Sequence, residues 1–351
     1  MEKSTNLKLL DLSHNMLTTV PVGTIACLTN LEYLDMRRNF ELKFIGDVST
    51  QFEEILSNER LIDLFIDVDN SACTIETTNT LLDGIKKLKN LELSIGLGSS
   101  TTSTSSKQVI LKKIHVWAER MEWLFASMNA ITFTDCQGLG TIFEKLVANS
   151  YEVGCFDTLR VLYISGCTDW VEVGSNAKFD MLPNLKDISL IEFTNISCIL
   201  DFALPLGLKF SRLERIRVIE CSQLKYFLSL GSTIPALEKL GEVILNYCDQ
   251  VEELFKFDQN SGFQDATVFP NLKTITLKNC PRLRFLSELN IGCPRLEVVE
   301  VENCPLLKKF PFTAQNVGTI KTITCAKKWW DELEWENDDI KNLYTPVLHL
   351  Y

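Results

Sequence analysis

The feature that most limits what this chain can fold into is a repeat. Residues 6–17 read NLKLLDLSHNML, and Leu7, Leu10, Leu12, Asn15 and Leu17 fit the spacing L-x-x-L-x-L-x-x-N/C-x-L. The frame returns at Leu28, Leu31, Leu34, Met36, Asn39 and Leu42. It returns again at Leu159-Leu162-Ile164-Cys167, Leu213-Ile216-Val218-Cys221, Leu272-Ile275-Leu277-Cys280 and Leu296-Val299-Val301-Cys304. Looser copies stand at Met128-Ile131-Phe133-Cys136, Leu185-Ile188-Leu190-Phe193 and Leu240-Val243-Leu245-Cys248. Degraded copies stand at Leu61-Leu64-Ile66, Leu88-Leu91-Leu93 and Leu111-Ile114-Val116, and Ile320-Ile323-Cys325 closes the series. The turn cysteines fall 24 to 32 residues apart, except for one interval of 54 that spans two units.

A spacing of that kind specifies a leucine-rich-repeat array. In x-L-x-L-x the side chains alternate, so the leucine-type residues point into the stack and the x residues point away. One unit cannot bury its apolar face alone, so neighbours must stack. The expected fold is an α/β leucine-rich-repeat solenoid, a horseshoe with a parallel concave β-sheet and short helices or irregular turns on the convex side. About thirteen units occupy residues 1–325, irregular over about 46–127, and a C-terminal cap covers 326–351. The cap reading rests on Trp329, Trp330 and Trp335 set among acidic residues, since an array end needs covering. At the other end the first repeat begins a few residues after Met1, with no polar capping segment before it. That end reads as uncovered, and the chain as a piece of something larger.

The Asn or Cys of the frame follows the strand, where the chain bends and leaves backbone groups to satisfy. Cysteine suits that place because it is small, tolerates burial and offers a weak S–H donor. Cys136, Cys167, Cys221, Cys248, Cys280 and Cys304 are therefore read as structural turn residues. There are twelve cysteines, but no C-x-x-C pair for a metal and no export signal to favour a disulfide framework.

Catalytic readings find no support. His14, His115 and His349 stand in no triad or H-E-x-x-H motif. No Gly-rich phosphate or dinucleotide fingerprint occurs, and the Ser/Thr run before Lys107 reads as a surface loop. No catalytic residue, cofactor or metal is expected. The net charge of −11 argues against nucleic acid, and no apolar run is long enough for a membrane span. The chain reads as a cytoplasmic protein-binding module. The candidate binding residues are the concave x positions Tyr33, Asp35, Arg37, Phe65, His115, Trp117, Tyr163, Arg215, Arg217, Glu242, Glu300 and Glu302, which include the Tyr, Trp and Arg types enriched in interface hot spots.

The units Phe269-Pro270-Asn271-Leu272 through Asn279-Cys280-Pro281-Arg282-Leu283, and Cys293-Pro294-Arg295-Leu296 through Asn303-Cys304-Pro305-Leu306-Leu307, carry a resemblance. With the tail Trp329-Trp330-Asp331-Glu332-Leu333-Glu334-Trp335, they resemble the C-terminal repeats of plant disease-resistance proteins, the coiled-coil nucleotide-binding leucine-rich-repeat (NBS-LRR) immune receptors. The resemblance implies an intracellular sensor whose repeats bind a pathogen effector or a host protein and restrain the receptor's nucleotide switch. The coiled-coil and ATP-binding regions of that family are not in this sequence, so ATP binding does not carry over. The competing reading is a substrate-recruiting subunit of an F-box-type ubiquitin ligase. It needs a helical F-box ahead of Leu7, where none fits.

Overall fold

Alternation and burial dictate the strands. A computed structural model describes residues 6–21, 23–39, 42–44, 48–76, 78–96, 106–125, 127–143, 145, 156–167, 182–199, 211–230, 237–257, 269–288, 292–310, 312, 316–335 and 338–351. The fold falls into two compact units, Met1–Asp169 and Trp170–Tyr351.

The first unit is built on β1 (Leu9–Asp11), β3 (Tyr33–Met36), β5 (Asp63–Val68), β6 (Asn90–Ile95), β7 (Lys107–Lys112), β8 (Ala130–Thr134) and β9 (Val161–Ser165), all parallel and hydrogen-bonded in that order. Between β1 and β5 lie β2 (Thr19–Val20), β4 (Lys43–Phe44), which pairs with β2, and helix α1 (Val48–Ser57). Helix α2 (Asn79–Lys87) precedes β6. Its start is set by Thr78, whose Oγ1 accepts the Leu81 N–H at 3.2 Å, and Lys86 and Lys87 occupy its last turn. Gly84 lets α2 press on α1, since a Cβ there would lie 2.5 Å from the Leu56 Cβ.

The second unit repeats the plan with β10 (Asp187–Ile191), β11 (Arg215–Ile219), β13 (Glu242–Asn246), β15 (Thr274–Lys278), β16 (Val298–Glu302), β17 (Thr322–Cys325) and β18 (Leu348–Leu350). Here a second parallel ladder, β12 (Tyr226–Leu230) with β14 (Glu253–Phe257), forms in segments between the main strands, where short helices or irregular turns are expected. Two short helices, α3 (Lys327–Asp331) and α4 (Asp338–Leu343), follow β17.

Register brings the frame residues together. Ile188, Ile216, Val243, Ile275, Val299 and Ile323 line up across successive strands and are fully buried. At the end of this stack Trp329 and Trp330 are buried, and the Trp329 Nε1–H donates to the Leu307 carbonyl at 2.9 Å. Phe312 stacks on Trp335 at 5.5 Å and meets Tyr344 at 5.0 Å. Indoles thus cover apolar surface that would otherwise meet water.

The stretch 46–127 carries β5, β6 and β7 in register with the strands around them. Of its three sequence frames, Leu111-Ile114-Val116 is out of register and is corrected here. The strand that forms is Lys107–Lys112, with Val109 opposite Ile131 and Leu111 opposite Phe133. The true frame is Val109-Leu111-Ile114, five residues earlier than the reading. The run of apolar residues from Val109 to Leu111 supports either alternation, and pairing with β8 selects one. Residues 97–105 of the Ser/Thr run lie outside the described residues.

Most turns contain a feature absent from the frame. The residue before the N/C position is left-handed: Arg38, Lys113, Asp135, Glu192, Glu220, Tyr247, Asn279 and Asn303 have φ between 51° and 60°, and Gly166 has φ 65°. The conformation lets this residue's N–H extend the ladder. Glu220 donates to Asn246, Tyr247 to Lys278 and Asn279 to Glu302, each at 2.9 Å. Glycine and asparagine accept it readily, whereas glutamate carries a Cβ cost. Glu220→Gly, whose exposed side chain contributes little packing, is expected to stabilise the protein by roughly 0.5–1 kcal/mol. Urea denaturation checks this, and a lowered midpoint would refute it.

Candidate protein-binding faces and turn ladder

Strand alternation places one set of side chains on the outer face of each sheet, away from the frame residues. In the first unit Asp11, Asp35, Phe65, Glu92 and Gln108 form one row, and Tyr33, Asp63 and Asn90 another. The centre is a clasp on Asp35, a buried carboxylate. Arg37 reaches it through Nε at 3.1 Å and Nη2 at 2.6 Å, its own N–H reaches it at 3.0 Å, and the Tyr33 hydroxyl donates at 3.3 Å. Nη1 of the same guanidinium extends to Glu92 at 3.2 Å, and Gln108 Nε2 donates to Glu92 at 2.9 Å. The guanidinium lies 4.5 Å from the centre of the Phe65 ring, which meets Tyr33 at 5.5 Å. The Asp35 carboxylate holds the Arg37 cation well above its ordinary value. One row lower, Asp67 accepts the Arg38 N–H at 2.6 Å, and burial raises its carboxyl above the ordinary range.

In the second unit the outer face pairs charges across strands. Arg215 joins Asp187 on β10 and Glu242 on β13, its Nε bonded to the latter. Lys278 joins Glu300 at 2.6 Å and lies 3.7 Å from Glu302. Arg217 donates to Ser189 Oγ at 3.4 Å and, among the described residues, makes no ion pair. Ile244 and Thr276 continue its row.

The sequence positions Tyr33, Asp35, Phe65, Tyr163, Arg215, Arg217, Glu242, Glu300 and Glu302 lie on outer-face strands, with Arg37 one residue past β3. His115 and Trp117 do not, and their assignment to that face is corrected. They follow β7 by three and five residues, a consequence of the slipped frame. Trp117 instead donates Nε1–H to the Gln137 carbonyl at 2.9 Å and lies 6.3 Å from Phe133. Glu92, Gln108, Asp187 and Ser189 belong to the faces and were absent from the reading. Glu92, Asp187 and Ser189 sit at x positions of frames already visible, while Gln108 was hidden by the slip.

The turn residues form a second, buried ladder. Cys221 Sγ lies 3.5 Å from the Ile219 carbonyl and 3.7 Å from Leu190 in the preceding repeat. Cys280 repeats this with Lys278 at 3.3 Å and Leu245 at 3.9 Å, and Cys304 with Glu302 at 3.4 Å and Leu277 at 3.7 Å. Cys136 lies 3.4 Å from Leu111 and 3.5 Å from Thr134. Cys167 lies 3.5 Å from Ser165, and Cys248 3.3 Å from Asn246. Asn39 makes the same pair of contacts, to Arg37 at 3.4 Å and Leu12 at 3.0 Å, and adds Met36. Away from the turns, burial raises the Cys293 thiol to about 12 and that of Cys325 on β17 to about 11, so those two thiols stay neutral. None of the described cysteines is in a disulfide, and no cluster among the described residues is arranged to hold a metal ion.

Glu253 on β14 is buried and accepts the Glu288 N–H at 2.9 Å. Burial raises its carboxyl above the ordinary 4.5. The folded state therefore favours the protonated form, and stability is lost as pH rises from the ordinary 4.5 through the folded value. Glu253→Gln, which keeps the acceptor oxygen, is expected to melt higher than the parent at neutral pH. The two should converge below the ordinary 4.5, and a pH series of thermal melts reads this. A gap that widened on acidification would refute it.

Comparison with known proteins agrees with this architecture. Residues 186–326 match the family described as plant disease resistance protein RPS2-like, leucine-rich repeats, and residues 2–40 match the leucine rich repeat family. Disease resistance protein At4g27190 of Arabidopsis thaliana is 28% identical over 368 residues, covering 99% of this chain and 36% of that protein. Probable disease resistance protein At4g27220 is 28% identical over 242 residues, covering 68% of the chain and 25% of that protein. Disease resistance protein UNI is 23% identical, covering 99% and 39%. The chain thus spans between a quarter and two fifths of the length of these relatives. No helix among the described residues is long and apolar enough to cross a membrane. With a buried turn ladder, repeat-by-repeat register and these matches, the chain is a leucine-rich-repeat array similar to the repeats of plant disease-resistance proteins.

Proposed function

We propose that the chain is the protein-recognition region of a cytoplasmic plant immune receptor. Its outer sheet faces bind a pathogen effector or a host protein, and the same repeats restrain the receptor's nucleotide switch. The observation that carries the reading is the chemistry of the second unit's outer face. Arg215 and Lys278 are committed to carboxylates of neighbouring strands, while Arg217 keeps donor capacity beside Ile244 and Thr276. The remaining N–H donors of this guanidinium, beside the apolar Ile244, suit a partner's carboxylate at the centre of an interface. In the first unit Tyr33 and Phe65 supply rigid aromatic area, and Asp35 and Glu92 fix the Arg37 guanidinium in place.

The test is affinity capture from plant leaf extract with three baits: the parent chain, a variant with Tyr33, Phe65, Arg215 and Arg217 all changed to Ala, and a control with the exposed Glu252 and Arg282 changed to Ala. Partners kept by the control and lost by the outer-face variant support the assignment. Identical capture by all three baits would overturn it.

A further inference from the structure

The turn cysteines of the second unit touch one another from repeat to repeat. Cys221, Cys248, Cys280 and Cys304 each stand two residues past a strand, and those strands, β11, β13, β15 and β16, are successive neighbours in register. All four side chains are buried. The Cys221 N–H donates to the Cys248 sulfur, the Cys248 N–H to Cys280 and the Cys280 N–H to Cys304. The thiols themselves pair by hydrogen bonds, Cys221 with Cys248 and Cys280 with Cys304. In the first unit Cys136 pairs with Cys167 in the same way, past β8 and β9.

Holding a turn needs only the carbonyl contacts, which Asn39 makes without a neighbouring thiol. The pairing adds chemistry. Within each pair one thiol donates to the other sulfur, which holds Cys221 and Cys304 below the ordinary 9.0, whereas burial raises Cys293 and Cys325. Thiolate is the form that attacks an oxidant. Neighbouring strands lie about 4.8 Å apart, inside the Cα span of roughly 4.4–6.8 Å that a disulfide needs. Repeats that contact only their neighbours open locally, so a small oxidant reaches one turn without unfolding the array. A thiol oxidised there then meets a second thiol already in contact with it.

We propose that the pairs Cys221–Cys248 and Cys280–Cys304 are oxidative modification sites for a hydroperoxide, each closing to a disulfide that ties two successive repeats. The Cys221 thiolate attacks one peroxide oxygen. The S–O bond forms, the O–O bond breaks, and the hydroxide that leaves takes up the proton Cys221 released, giving water and a sulfenic acid. The Cys248 sulfur then attacks the sulfenic sulfur. The S–S bond forms, the S–O bond breaks, and the second hydroxide leaves as water with the Cys248 proton. The two thiols give up two electrons and the peroxide gains them. In the other pair Cys304 takes the first part and Cys280 the second. The sites are buried and do not depend on what the outer faces bind.

The test uses the full chain with the exposed Cys27 changed to Ser, so that no surface thiol competes. It is treated with hydrogen peroxide in native buffer, alkylated with iodoacetamide, digested without reductant and mapped by mass spectrometry. Peptides joining Cys221 to Cys248 and Cys280 to Cys304 should form at least about tenfold faster than Cys293 and Cys325 lose their thiols. Far-UV circular dichroism should stay unchanged, and dithiothreitol should restore all four thiols. Cys248→Ala should leave Cys221 as a sulfenic acid that dimedone labels, with the Cys280–Cys304 link still forming. Three results from the parent chain would each overturn the proposal. Loss of Cys293 and Cys325 at the rate of the pairs would mean that oxidation merely follows unfolding. A Cys248–Cys280 link in equal yield would mean that thiol pairing does not direct the chemistry. Collapse of the circular dichroism signal as the links form would mean that the folded array does not hold them.

Discussion

Phe255→Ala is expected to lower the stability of the second unit by about 3–5 kcal/mol, the range for emptying a fully buried aromatic site. The ring has no solvent exposure and lies 4.2 Å from Phe269 and 6.1 Å, edge-on, from Phe227. Its backbone is held as well, with the N–H donating to the Leu286 carbonyl at 2.8 Å, so the strand cannot easily collapse into the void. Both the transfer and the cavity contributions therefore apply. Phe255→Leu, which fills most of the space, should cost less than about half as much. Lys256→Ala, on the adjacent and more exposed position, should stay within about 0.5 kcal/mol. Urea denaturation followed by far-UV circular dichroism gives all three values at a common slope. A Phe255→Ala loss below about 1 kcal/mol would show that this ring is not part of a close-packed core.

That ring also shows where sequence reasoning reached its limit. The inward residues of β3, β5, β6, β8 to β11, β13 and β15 to β17 could be named from the leucine frame. A strict alternation with one buried face leaves a single register. The ladder β12–β14 was not read, although a signal for it exists. After each turn cysteine a second pattern runs Cys221-x-x-Leu224-x-x-Phe227, Cys248-x-x-Val251-x-x-Leu254 and Cys280-x-x-Leu283-x-x-Leu286. Its apolar residues recur every three, not every two, so alternation does not reveal a strand there. The slip at Lys107–Lys112 has the opposite cause, because Val109, Ile110 and Leu111 are all apolar and fit both faces. The Arg37–Asp35–Glu92 clasp was half legible. Tyr33, Asp35 and Arg37 alternate within one repeat, but Glu92 comes from a strand 55 residues later and meets them only through sheet order. The left-handed turn residues were invisible for a simpler reason. Arg38, Glu192, Glu220 and Tyr247 are not residue types that mark such a conformation, and the stack imposes it on them.

Asn39→Ala should be the costliest single change in the turn ladder, at about 2–4 kcal/mol. The side chain is buried and serves four backbone groups: its Nδ2 donates to Leu12, Met36 and Arg37, and its Oδ1 accepts the Leu17 N–H. Alanine would leave the Leu17 donor and the Leu12 acceptor without the partner that now links the first two repeats, and unmet buried groups cost more than the bonds themselves contribute. The cysteines of the later turns allow a sharper comparison. Cys221 contacts the carbonyls of Ile219 and Leu190 with a weak donor, and an S–H has no oxygen to offer an N–H. Cys221→Ala should therefore cost only about 1 kcal/mol, mostly lost packing. Asn39→Cys should fall between the two alanine variants, because it restores a weak donor to Leu12 but nothing for Leu17. Amide exchange separates these contributions, since Leu17 should lose protection in both Asn39 variants while β3 keeps most of its own. If Asn39→Cys left Leu17 as protected as in the parent, the oxygen of Asn39 would not be what holds that amide, and asparagine and cysteine would be interchangeable at this turn. If Leu17 opens as expected, the asparagine turns tie successive repeats through both a donor and an acceptor. The cysteine turns then rely on the donor alone, with packing supplying the rest.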